Sequence, residues 1–111
     1  MPATPVPELK IETIIIPEEI LVRCSGRITF SSAHMLEITI CRLIPQAKHV
    51  LLDLTDVNYM DGSGLDALVE VCLSAKTQRC QMRLINLNQR LAELFRSTML
   101  ASIFEGLEFP E

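Results

Sequence analysis

The chain contains no tryptophan, and aromatic residues make up only 5% of it. Its core must therefore be built from Ile, Leu, Val, Met and Ala. Long hydrophobic runs are also missing. Apolar stretches such as Ile14–Ile16 fall far short of the ~20 residues needed to cross a bilayer, so no membrane insertion is expected. There is no basic run, and 14 acids outnumber 10 bases for a net charge of −4. That balance argues against binding a phosphate backbone, and no nucleic acid is expected as a partner. Cysteine spacing excludes a zinc site. Cys24, Cys41, Cys72 and Cys80 form no C-x-x-C pair, and His34 and His49 are the only histidines. The thiols are expected to be structural, with no metal and no cofactor. Met1–Pro7 holds three prolines and no base, unlike a secretory signal, so the expected location is cytoplasmic.

What is present is 111 residues that are 49% hydrophobic, enough for one core. Residues 1–8 read as a flexible N-terminal leader and 9–111 as a single domain. Leu9–Ile16 and Ile20–Ser25 are rich in β-branched residues and flank Pro17-Glu18-Glu19, a hairpin signal, with Gly26 ending the second strand. Ser31 or Ser32 is the expected N-cap of a helix to Ile44, with Leu36, Ile40, Leu43 and Ile44 on one face and Pro45 as its stop. Residues 49–54 read as a buried central strand, followed by a polar connection from Thr55 to Met60. A helix is expected from Gly64 to Thr77, its apolar stripe on Leu65, Leu68, Val69 and Cys72. Met82–Leu87 reads as a strand, and Asn88 as the cap of a last helix carrying Leu91, Leu94, Phe95 and Thr98. Leu107–Phe109 could add an edge strand. The expected class is α/β, a small mixed sheet covered by helices in the order β-β-α-β-α-β-α(-β).

Chemistry concentrates at Asp61-Gly62-Ser63-Gly64, at the carboxyl end of a strand and the start of a helix. Four uses of this loop are compatible with the residues. Ser63 could simply cap the helix. Gly62-x-Gly64-x-x-Ala67 satisfies a nucleotide-binding spacing, but Asp61 would stand beside the pyrophosphate, and Leu84-Ile85-Asn86 offers no acid for the ribose. A serine hydrolase needs glycines at ±2 from the nucleophile, whereas here they stand at ±1, with only His34 and His49 as bases. Finally, Ser63 could accept a phosphate. The new charge would suit a helix N-terminus while repelling a partner docked beside Asp61, Asp66 and Asp56.

The stretch from Val50 to Leu68, VLLDLTDVNYMDGSGLDAL, resembles the signature of the STAS family. Asp53-Leu54, Val57, Tyr59-Met60, Asp61, Ser63, Gly64-Leu65 and Leu68 fall on that pattern, and Gly26-Arg27-Ile28-Thr29 is similar to the end of the family's second strand. The resemblance is closest to the anti-sigma factor antagonists. It implies the STAS fold, no catalytic activity, and Ser63 as phosphate acceptor. It implies an anti-sigma factor with serine-kinase activity as partner and a PP2C-type phosphatase that removes the mark. It also implies a docking surface made of Asp61, Gly62, Ser63, Gly64 and Asp66 with Gly26, Arg27 and Thr29, on a monomer or weak dimer. Two positions depart from the antagonist pattern. Gly62 stands where a hydroxyl or alanine is common, and Thr29 where an aspartate is common. Thr29-Phe30 is also similar to STAS subunits of lipid-transport ATPase complexes, and a scaffold subunit in stress signalling is a further role of the family.

Overall fold

A computed structural model describes residues 7–97. It contains β1 (Leu9–Ile16), β2 (Glu19–Ile28), α1 (Phe30–Leu43), a 3-10 turn (Ile44–Gln46), β3 (His49–Met60), α2 (Gly62–Thr77), β4 (Gln81–Ile85) and α3 (Gln89–Ser97). The four strands form one sheet in the order β1-β2-β3-β4. β1 and β2 pair antiparallel across Pro17-Glu18, whereas β2–β3 and β3–β4 are parallel. The sheet is mixed, and α1 and α2 are its two crossovers, as the hydrophobic periods implied. Residue 98 onward, including the possible last strand at Leu107–Phe109, lies outside the described residues.

One sheet face is sealed. Ile20 and Val22 on β2 stand in register with Val50 and Leu52 on β3, and these with Met82 and Leu84 on β4. All six are buried, together with Leu36 and Ile40 of α1 and Leu68 and Val71 of α2. α1 and α2 lie side by side. Each such side chain contributes about 1.5–3 kcal/mol by leaving water. The α2 stripe holds Leu65, Leu68 and Cys72 as expected, but adds Ala67, Val71 and Ala75, while Val69 is only half-buried.

Several boundaries differ from the sequence reading. β2 does not end at Gly26; it continues to Ile28, with register shifts against β3 between Arg23 and Ser25 and between Gly26 and Arg27. Gly26 has φ +111°, and a Cβ there would lie 2.2 Å from the Glu8 carbonyl oxygen, which accepts from Arg27 N at 3.0 Å. The glycine is thus a point of close chain approach inside a strand. β3 likewise runs through the polar stretch to Met60. Its pairing with β4 stops at Asp53–Ile85, so later residues pair only with β2. Asn88 and Arg90 cover the other edge, donating to the carbonyls of Val57 at 2.6 Å and Asn58 at 3.3 Å. The residues Thr55, Asp56 and Asn58 are polar and exposed, which is why the segment looked like a loop. β4 is shorter than expected and leaves Leu87 buried just beyond it. Asn88 caps α3 as read, accepting from Leu91 N at 2.9 Å.

Candidate functional site

The N-termini of α1 and α2 meet where β2 and β3 end together, with Ile28 opposite Met60 and Arg27 opposite Tyr59. The first four N–H groups of a helix need outside acceptors. For α1 the cap is Thr29, not Ser31 or Ser32. Thr29 Oγ1 accepts from Ser31 N at 3.3 Å, and Thr29 N donates to Ser32 Oγ at 3.0 Å, closing a capping box with Ser32 at its third position. Ser32 Oγ in turn donates to the Arg27 carbonyl at 2.9 Å. Thr29 Oγ1 donates to the Glu8 carboxylate at 2.8 Å, a partner 21 residues away.

For α2 the cap is Asp61, and the helix starts at Gly62 rather than Gly64. Asp61 Oδ1 accepts from Gly64 N at 2.9 Å; Asp61 Oδ2 accepts from Phe30 N, the first residue of α1, at 3.1 Å. One carboxylate closes both helix starts, and Asp61 N is itself tied to the Ile28 carbonyl at 3.2 Å. Ser63 is therefore not the cap. It sits in the first turn of α2, half-buried. Gly64 lies against the strand end, since a Cβ there would meet Ile28 O at 2.5 Å and Met60 Cγ at 2.7 Å. Gly62 faces open space, with nothing within 4 Å of a Cβ.

A shallow groove of about 290 Å³ runs between the two helices. Ser63, Asp66 and Glu70 of α2 line one wall; Phe30, His34 and Glu37 of α1 line the other. Phe30 is 82% exposed at its mouth, unusual for a phenylalanine. Arg27 lies over the Tyr59 ring at 4.7 Å, a cation–π pair beside the same helix ends. The structure places Asp61, Gly62, Ser63 and Asp66 at the same helix ends as Arg27 and Thr29, whereas Thr29 and Gly64 are buried there and Gly26 is packed against the Glu8 backbone. Sequence reasoning missed Glu8, Phe30, Tyr59 and the acidic walls Glu37 and Glu70. Phe30 carried one signal, an aromatic directly after a capping residue. Glu8 carried none, because its contact is nonlocal.

Two ionisable groups behind the site are shifted. Burial raises the Asp53 carboxyl, but hydrogen bonds from Thr55 and Asn86 and the charge of Arg23 outweigh it, leaving its pKa below the usual value. Asp53 Oδ1 accepts from the Thr55 hydroxyl at 2.6 Å and Thr55 N at 2.9 Å, and Arg23 Nε lies 3.6 Å from Oδ2. Burial, then the Asp53 charge, pushes the Cys24 thiol up to about 12, so it stays protonated and inert. All four cysteines are free thiols. Among the described residues no cluster could hold a metal ion, and no helix is long and apolar enough to cross a membrane.

The architecture has counterparts. A family model described as STAS domain matches residues 10–109. The anti-sigma-B factor antagonist of Bacillus subtilis (strain 168) is 34% identical over 87 residues, covering 78% of this chain and 80% of that protein. A solved anti-sigma factor antagonist from Mycobacterium paratuberculosis superposes with a TM-score of 0.80 at 18% identity, covering 93% of this chain and 86% of that one. The anti-sigma factor antagonist SpoIIAA in its unphosphorylated form gives 0.68 at 13% identity, over 93% and 89% of the two chains. The loop that joins two helix starts at a strand end therefore sits within a chain that belongs to the STAS domain family.

Proposed function

We propose that this protein is an anti-sigma factor antagonist switched by phosphorylation of Ser63. In the unmodified form it binds an anti-sigma factor with serine-kinase activity and so frees a sigma factor. Phosphate on Ser63 ends the binding, and a PP2C-type phosphatase restores it. The chain acts by occupying its partner, not by catalysis of its own.

The observation that carries this reading is the division of labour between Asp61 and Ser63. Asp61 performs the capping of α2, so Ser63 has no structural duty at the helix start. Its hydroxyl can be modified without removing a cap. A phosphate there adds about −1.5 to −2 charges at the positive end of a helix, where backbone N–H groups can donate to its oxygens. The fold tolerates the charge; the surface does not remain the same. The groove already carries Glu37, Asp66 and Glu70, so a dianion turns a mildly acidic wall into a strongly repelling one. Phe30, Arg27 and Tyr59 form the apolar and cation–π part of the docking face. The similarity to the Bacillus subtilis antagonist supports the same reading.

The test is intact-mass and phosphopeptide analysis of the protein isolated from its native cells in several growth states. The expected result is a single phosphate on Ser63 whose occupancy shifts with growth state and is absent from Ser63→Ala. No phosphate in any state, or undiminished phosphate in Ser63→Ala, overturns the reading.

A further inference from the structure

β1 is the outer strand of the sheet, and among the described residues no strand lies beyond it. Its eight residues pair with β2 without a register shift, and none of them is proline. Arg27 N donates to the Glu8 carbonyl at 3.0 Å, one step before the Leu9–Gly26 pair in the same register. Antiparallel pairs alternate between bonded and non-bonded. The bonded pairs are therefore Lys10–Ser25, Glu12–Arg23, Ile14–Leu21 and Ile16–Glu19. Leu9, Ile11, Thr13 and Ile15 turn their N–H and C=O groups away from β2, a straight row of donors and acceptors that another strand could meet. Their side chains share the helix-covered face, opposite Gly26, Cys24, Val22 and Ile20. Cover fades along them: Leu9 is 2% exposed, Ile11 is half-buried against the core, and Ile15 is 67% exposed. Ile14 and Ile16, on the other face, are exposed as well.

We propose that β1 pairs antiparallel with β1 of a second copy of this chain, about a twofold axis at Thr13, joining two sheets into one. The strand is complementary to itself. Under reversal its uncovered end meets the covered end of its twin, so Ile15 of each copy packs beside Ile11 of the other, next to the core. Both members of a bonded pair must turn their polar groups outward, so the axis passes through a residue and not between two. At Glu12 it would set two carboxylates face to face. At Ile11 it would leave Ile15 and Ile16 beyond the other β1, and at Ile14 it would pair only Glu12 to Ile16. At Thr13 it pairs every residue from Lys10 to Ile16, with Glu12 opposite Ile14 and Lys10 opposite Ile16, so no like charges are opposed. Edge strands that avoid such pairing carry bulges, prolines or inward-pointing charges. The charges of β1 do not point inward: Lys10 and Glu12 lie on the face away from the helices and pair with each other at 3.1 Å. The Ser63 loop stands at the end of the sheet where β1 begins. The two loops of the dimer therefore face opposite ends of the joined sheet, and both stay open to a partner.

The experiment is sedimentation velocity of the full chain from about 5 to 500 µM, a range across which a weak dimer dissociates. The expected result is a monomer–dimer equilibrium whose Kd is raised at least about tenfold by Ile15→Lys. That position is exposed, so circular dichroism of the variant should match the parent chain. A second measurement is air oxidation of the full-length Thr13→Cys variant. It should link two copies through the introduced thiols, because opposed residues of a bonded pair stand about 5.5 Å apart at Cα, within disulfide reach. Peptide mapping separates that link from any made by the native cysteines. A chain that stays monomeric at every concentration overturns the proposal. So does a dimer whose Kd is unchanged by Ile15→Lys, which would place the contact elsewhere. A dimer that never forms the link at position 13 overturns it too, because the axis would not lie there.

Discussion

Two glycines two positions apart have opposite meanings. Gly64 is packed: a Cβ would press on Ile28 O and on the Met60 side chain, and the backbone oxygen has little freedom to yield. Gly62 borders nothing within 4 Å. Gly64→Ala should therefore cost about 1–3 kcal/mol through overpacking. Gly62→Ala should be neutral or stabilising by up to about 1 kcal/mol, because alanine loses less backbone entropy in a helix. Urea unfolding of the two variants checks this; equal losses would mean that both glycines serve the turn. Local spacing predicts a flexible double-glycine turn and cannot tell them apart. The distinction comes from β2, which lies more than thirty residues earlier in the chain.

At the level of elements, the sequence located every α-helix and strand of the described region but missed the 3-10 turn at Ile44–Gln46 and misplaced where several elements begin and end. The reasons are physical. Apolar periodicity follows from burial, which is strong and repeated along an element. A cap depends on a single residue's geometry, and Thr29, Ser31 and Ser32 are all good capping types. Thr29 prevails because its backbone is still extended at the strand end, whereas Ser31 and Ser32 are already helical. Asp61 was singled out as a site residue, yet its double role needed α1 to be placed beside α2. Asp61→Ala should remove acceptors from both helix starts and cost about 1–3 kcal/mol, more than one ordinary cap. Chemical denaturation measures the loss, and circular dichroism should show that the helices persist at low denaturant. A loss of only a few tenths of a kcal/mol would mean that water replaces the carboxylate at both ends.

Over the whole molecule, the mixed α/β order was legible because β-branched runs, a proline hairpin and two strand–helix–strand crossovers leave few topologies open. Stability of the whole domain carries one readable charge term. Asp53 has a folded-state pKa below its unfolded value of about 3.9, so its contribution is present above that value and is lost as pH falls through the folded pKa. Wild-type stability should drop below about pH 4, and Asp53→Asn should be less stable at neutral pH but show a shallower decline in that acid window. Thermal melts from pH 3 to 7 compare the two slopes. Parallel curves would assign the acid loss to other carboxylates.

The assignment of the cap to Asp61 also has a genetic consequence. Where the modified residue holds its helix together, every allele that blocks modification damages the fold too, and the phenotypes blend. Under the proposed function the two duties sit on separate codons. Lesions at codon 63 should alter signalling with normal protein abundance, whereas lesions at codon 61 should lower abundance and signalling together. A collection of spontaneous mutants would sort into those two groups before any partner had been identified.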